Sequence, residues 1–114
     1  MAGLIEQPRH YTRAEAQQQV RDRASSLILR PAALRQMAHL RAALFEDDDR
    51  TVDHADLQAC LSGGVVIEDV GYSRGGAQVT VAGADREGRR LTVYVQLADD
   101  EDLPLFIETF VLKP

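Results

Sequence analysis

Two alternating runs separated by a four-residue break constrain this 114-residue chain more than anything else in it. Val79 and Val81 alternate with Gln78 and Thr80, while Leu91, Val93, Val95 and Leu97 alternate with Thr92, Tyr94 and Gln96. Strand side chains point alternately to opposite faces, so the pattern predicts two half-buried strands. Asp85-Arg86-Glu87-Gly88 supplies turn residues between them. The segment 77–97 therefore reads as a β-hairpin with one wet face.

A different period precedes it. Thr12-Arg13-Ala14-Glu15 has capping-box form, and Ala16, Val20, Ala24, Leu27 and Ile28 continue one helical face. Pro31 is expected to end that helix or open the next, because it lacks an amide proton and suits a first helical turn. A second helix is predicted from Pro31 to Phe45, burying Ala33, Met37, Leu40 and Leu44 and showing Arg35 and Arg41 outward. Asp47-Asp48-Asp49 should stop it, since carboxylates at a helix C-terminus oppose the macrodipole. Asp53 then caps a short helix to Ser62, with Leu57, Cys60 and Leu61 inward and Gly63-Gly64 at its end.

Beyond the glycines, Val65 to Val70 is expected as a strand and Gly71 to Gly76 as a flexible turn before the hairpin. Ala98 to Pro104 forms an acidic loop. The last strand, Leu105 to Leu112, places Leu105, Ile107, Thr109 and Val111 on one face and Phe106, Glu108, Phe110 and Leu112 on the other. Helices first and strands afterwards predict an α+β domain, with two to three N-terminal helices packed on one face of a four-stranded antiparallel sheet. The expected organisation is a flexible arm over residues 1–11 and a single domain over 12–114.

Composition narrows the chemistry. One cysteine leaves no intrachain disulfide and fits a reducing, cytoplasmic setting. No apolar run is long enough for a membrane span. His10, His39 and His54 stand alone without metal-ligand spacing, and the paired glycines lead into strands, so no metal, nucleotide or other cofactor is expected. Residues 1–46 hold seven arginines against four acids, whereas 47–114 hold six basic residues against fourteen acids. That polarity suits docking of a protein partner or pairing of two copies more than indiscriminate nucleic-acid binding.

Arg50 to Gly64, reading Arg-Thr-Val-Asp-His-Ala-Asp-Leu-Gln-Ala-Cys-Leu-Ser-Gly-Gly, resembles the Arg-x-Ile-Ser-x-x-Asp-Val-x-x-x-Leu-x-x-Gly segment of short bacterial toxin-like domains of the RelE ribonuclease type. Val79 to Gly83, Gly88 to Val95 and Ile107 to Phe110 are similar to that family's strands. The resemblance implies helices followed by an antiparallel sheet, a metal-free endoribonuclease activity and an antitoxin partner. It also places Ala32-Ala33-Leu34-Arg35-Gln36-Met37 on the family's His-Ala-x-x-Arg-Met pattern. Ala32 then stands at the functional histidine and Gln36 at the arginine.

Metal-free RNA cleavage needs a base for the 2′-hydroxyl, positive charge on the phosphate and a proton for the leaving oxygen. With Ala32 unable to serve, the candidates are His39, seven positions along the same helix, Arg74, Arg89 and Arg90 for phosphate, and Tyr94 or Glu108 for proton exchange. Two other readings follow from charge and pattern. One is an acidic binding module, such as an inhibitor or immunity protein, whose Asp47–Asp49 and Asp99–Asp102 runs imitate phosphate. The other is a homodimer joined through the last strand or the arginine-rich helices.

Overall fold

The capping box at Thr12 starts the described architecture. In a computed structural model, which describes residues 10–42 and 51–113, Thr12 Oγ1 accepts from Glu15 N–H and the Glu15 carboxylate accepts from Thr12 N–H, each at 3.1 Å. Helix α1 (Arg13–Asp22) follows, burying Ala16 and Val20. It stops short of the predicted extent. Arg23 turns inward instead of continuing the helix: only 6% exposed, it donates from Nη1 to the Ala98 carbonyl at 2.9 Å and from Nη2 to Gln19 Oε1 at 3.1 Å.

Leu27 and Ile28, expected as the end of that helical face, belong to strand β1 (Leu27–Leu29). This strand pairs in parallel with β6 (Leu105–Leu112), in the register Leu27 with Leu105, Ile28 with Phe106 and Leu29 with Ile107. Helix α2 (Pro31–Ala42) begins at Pro31, with the Arg30 carbonyl accepting from Leu34 N–H at 3.1 Å. The predicted extension to Phe45 and the Asp47–Asp49 stop lie outside the described residues. Helix α3 (His54–Gly63) is capped by Asp53, whose carboxylate accepts from Asp56 N–H at 2.9 Å while Asp56 accepts from Asp53 N–H at 3.0 Å.

After α3 come β2 (Val65–Val66), β3 (Gly71–Ser73), β4 (Gly76–Ala84) and β5 (Arg90–Leu97). The expected strand over 65–70 is thus two residues long. The expected turn over 71–76 contains β3, which pairs with β4 through Gly71 and Gln78, Tyr72 and Ala77. Among the described residues the sheet has six strands in the order β1-β6-β5-β4-β2, with β3 also on β4. It is mixed, since β1 is parallel to β6 and the other pairings are antiparallel. The α+β class holds; the four-strand, wholly antiparallel expectation does not, because two short strands, β3 and the parallel β1, were hidden in the flanking segments.

One face of the sheet carries Val79, Val81, Leu91, Val93, Val95, Leu97, Leu105, Ile107 and Phe110, all buried in one cluster with Val20 of α1, Ala33 and Leu40 of α2, and Leu57 and Leu61 of α3. Full burial of a large aliphatic or aromatic side chain contributes about 1.5–3 kcal/mol, so this cluster dominates stability. Helix α3 sits hard against β4 at two glycines. A Cβ at Gly83 or at Gly64 would come within 2.6 Å of the Cys60 carbonyl oxygen, so only glycine allows this approach. Tyr11, expected in the arm, is buried and its N–H donates to Tyr72 Oη at 2.7 Å. No helix among the described residues is long and apolar enough to cross a membrane.

The alternation expected for β6 fails at one place. Tyr94 pairs with Thr109 and Val95 with Ile107, so Glu108 is an extra residue, a β-bulge. The bulge shifts parity by one, and Phe110 and Leu112 pair with Val93 and Leu91 on the core side instead of opposing Ile107. Thr109 and Val111 pass to the other face. The strand that read as apolar on both faces is two half-strands of opposite phase.

Candidate functional site on the open sheet face

The face of the sheet opposite the core carries the polar members of each alternating pair, and Gln78, Tyr94, Ile28 and Val111 are exposed there. Its best-formed polar constellation lies where β1, β6 and β5 meet. Arg30 follows β1 and is the residue before Pro31, which restricts it to extended backbone and keeps it in line with the strand. Its N–H donates to the Ile107 carbonyl at 2.9 Å. The guanidinium donates from Nη2 to Gln96 Oε1 at 2.9 Å, lies 4.7 Å above the centroid of the Phe106 ring, and has Nε 3.5 Å from Glu108 Oε1.

Gln96 is buried, and its Nε2 donates to Ser73 Oγ at 3.4 Å, so a polar chain runs across the sheet from β3 to Glu108. Gly75 lies on the Gln96 amide so closely that any side chain there would displace it. The Arg30–Glu108 pair is more than two-fifths exposed on each side, so its Coulomb energy is largely screened. What the arrangement fixes is direction: the guanidinium is held over the bulge.

Next to this cluster lies an open depression of about 450 Å³ lined by Glu68, Gln78, Val79, Thr80, Tyr94, Val95 and Glu108. Thr80 Oγ1 donates to Glu68 Oε2 at 3.2 Å. The structure therefore brings two of the sequence candidates, Tyr94 and Glu108, into one concavity with a phenol and two carboxylates. No group of three or more metal-ligating side chains occurs among the described residues.

The remaining candidates are placed elsewhere. Arg74 is exposed in the turn between β3 and β4. Arg89 stands in the turn at the other end of β4, about 26 Å away by strand rise. It is occupied by the fold: Nε is 2.7 Å from Asp85 Oδ2, Nη2 donates to the Thr51 carbonyl at 2.8 Å and lies 3.7 Å from Asp56 Oδ2. Arg86 beside it bridges Asp53 and Asp56 at 2.8 and 3.0 Å. This network joins the hairpin turn to the N-terminus of α3, which is a structural assignment for Arg89 in place of phosphate binding. His39 is exposed in the last turn of α2, about 10 Å of helix beyond Ala32, and does not line this depression.

Ala32 is exposed in the first turn of α2. It lies two residues after Arg30, within about 7 Å of it from Cα to Cα. Arg30 itself was missed from the sequence, where Leu29-Arg30-Pro31 read as a helix end. The available signal was the proline, which forces its predecessor out of helical backbone. No protein-family model, curated protein or solved structure matches this chain.

Proposed function

We propose that this chain is a RelE-like domain that engages RNA through the open face of its sheet, with Arg30, Tyr94 and Glu108 as the groups addressed to the phosphodiester. The observation that carries the reading is their convergence at the β6 bulge, two residues from Ala32. Glu108 is the proton acceptor for a 2′-hydroxyl. The 2′-oxygen then attacks phosphorus, the bond to the 5′-oxygen breaks, and a 2′,3′-cyclic phosphate and a 5′-hydroxyl result. Arg30 offsets the extra negative charge on the phosphate in the transition state. Tyr94 lines the same depression and is the group placed to donate a proton to the leaving oxygen. With alanine at position 32, where the resemblance expects the functional histidine, the native chain is a binder with little cleavage activity.

The test is induction of the chain in bacteria beside an Ala32→His version and an Ala32→His/Glu108→Gln version, reading growth and total RNA. RNA cleavage in the histidine version alone supports the reading. Failure of all three to bind or cleave RNA at low salt overturns it. A second reading, a non-catalytic acidic module that binds a basic protein, draws on the exposed run Asp99-Asp100-Glu101-Asp102 in the β5–β6 loop. It is favoured if RNA binding is absent while a complex with a basic protein survives only at low salt.

A further inference from the structure

A second, larger depression of about 640 Å³ opens on the same sheet, lined by Ile67, Ala82, Ala84, Arg90, Thr92 and Lys113 together with Gly83, Gly88 and Leu91. Ala82 pairs with Thr92 and Ala84 with Arg90, which puts all four on the open face with Tyr94. Lys113 N–H donates to the Arg90 carbonyl at 2.9 Å, so the two residues are neighbours where β5 begins and β6 ends, and both line the depression. Both are exposed, and among the described residues neither side chain is held by a carboxylate. Arg86 and Arg89 of the same hairpin are committed to Asp53, Asp56 and Asp85, whereas Arg90 and Lys113 leave exposed positive charge on the open face.

We infer that this groove is a second phosphate-binding subsite, and that it sets the path of a single-stranded nucleic acid across the sheet. The inference rests on the RNA-directed reading above. From Arg90 through Tyr94 to Gln96 and Arg30 the track is about 20 Å long by strand rise. Cations occupy its two ends and an aromatic ring its middle, the arrangement by which sequence-tolerant single-strand binders hold backbone and bases. The floor of Ala82, Gly83 and Ala84 leaves room for a sugar and base, which two cations around a free phosphate ion would not require.

The experiment measures binding of a fluorescently labelled oligouridylate to the whole chain as a function of salt. Wild type is compared with Arg90→Gln/Lys113→Gln and with Arg35→Gln, each checked by thermal melting. The double variant is expected to bind about tenfold more weakly, with a salt slope shallower by about 1.4, since each lost phosphate contact on a single strand removes about 0.7. Arg35→Gln, which removes an exposed charge on α2 away from the open face, should keep the wild-type slope. Equal affinity and slope in wild type and double variant overturn the subsite while leaving the RNA reading standing. No binding by wild type at low salt overturns both, and equally tight binding of polyglutamate overturns the assignment to nucleic acid.

Discussion

Arg86 Nε lies 3.0 Å from Asp56 Oδ1, across 30 positions of sequence, and joins the β4–β5 turn to the first turn of α3. The Asp56 side chain is 4% exposed. Burial alone would push its pKa up, but the Asp53 N–H and the Arg86 guanidinium outweigh it and hold the carboxyl below its ordinary value of 3.8.

Replacing Asp56 should therefore cost both a cap and a tether. Asp56→Ala is expected to lower stability by about 2 kcal/mol in urea denaturation near neutral pH. Because the folded pKa is depressed, this contribution is complete above 3.8 and fades as pH falls through the lower folded value. The variant should consequently lose less stability than wild type over that acid range; parallel acid titrations would place the acid sensitivity elsewhere.

Gly83→Val tests the close approach of α3 to β4. Its side chain would meet the Cys60 carbonyl and the Gly64 Cα, both backbone atoms, so a loss of about 1–3 kcal/mol is expected from displacement of the helix. A variant as stable as wild type in thermal melting would show that the helix slides without penalty.

Cys60 should be chemically silent in the folded protein. Burial, reinforced by the charge of Asp85, raises its pKa to about 11, and its sulfur packs 4.0 Å from the Leu91 carbonyl. At pH 8 a disulfide reagent is expected to label it only as fast as the protein opens, and at once in denaturant. Rapid labelling of folded protein would contradict its buried position.

Tyr94→Ala should weaken oligouridylate binding by about 1–3 kcal/mol, the range for a base stacked on an aromatic side chain. Its ring is 38% exposed, so melting should hardly change. Unchanged affinity would remove the ring from the RNA path.

Local pattern was enough to read the hairpin, the Thr12 capping box and the Asp53 cap, because the information lies within a few residues of Thr12, Asp53 and Gly88. β1 was not readable in this way. Leu27-Ile28-Leu29 fits a helical stripe and a strand equally, and what decides between them is β6, at the far end of the chain. The bulge was equally hidden, since Glu108 in an alternating run gives no local sign that it is unpaired. The site inherited both gaps: Tyr94 and Glu108 stood out as polar residues in strands, but Arg30 acquires its role only when β1 meets β6. Arg89 looked free because its carboxylate partners Asp85 and Asp56 lie on two different elements.

The parallel union of β1 with β6 also has a consequence for the growing chain. All intervening elements must be synthesised before Leu27 to Leu29 can find their partner, and such distant pairings form late. Until then Arg30 has neither the Ile107 carbonyl nor Glu108 to orient it. On a ribosome, a nascent copy of this domain would hold Arg30 and Glu108 apart, so their cluster forms only after β6 has cleared the exit tunnel.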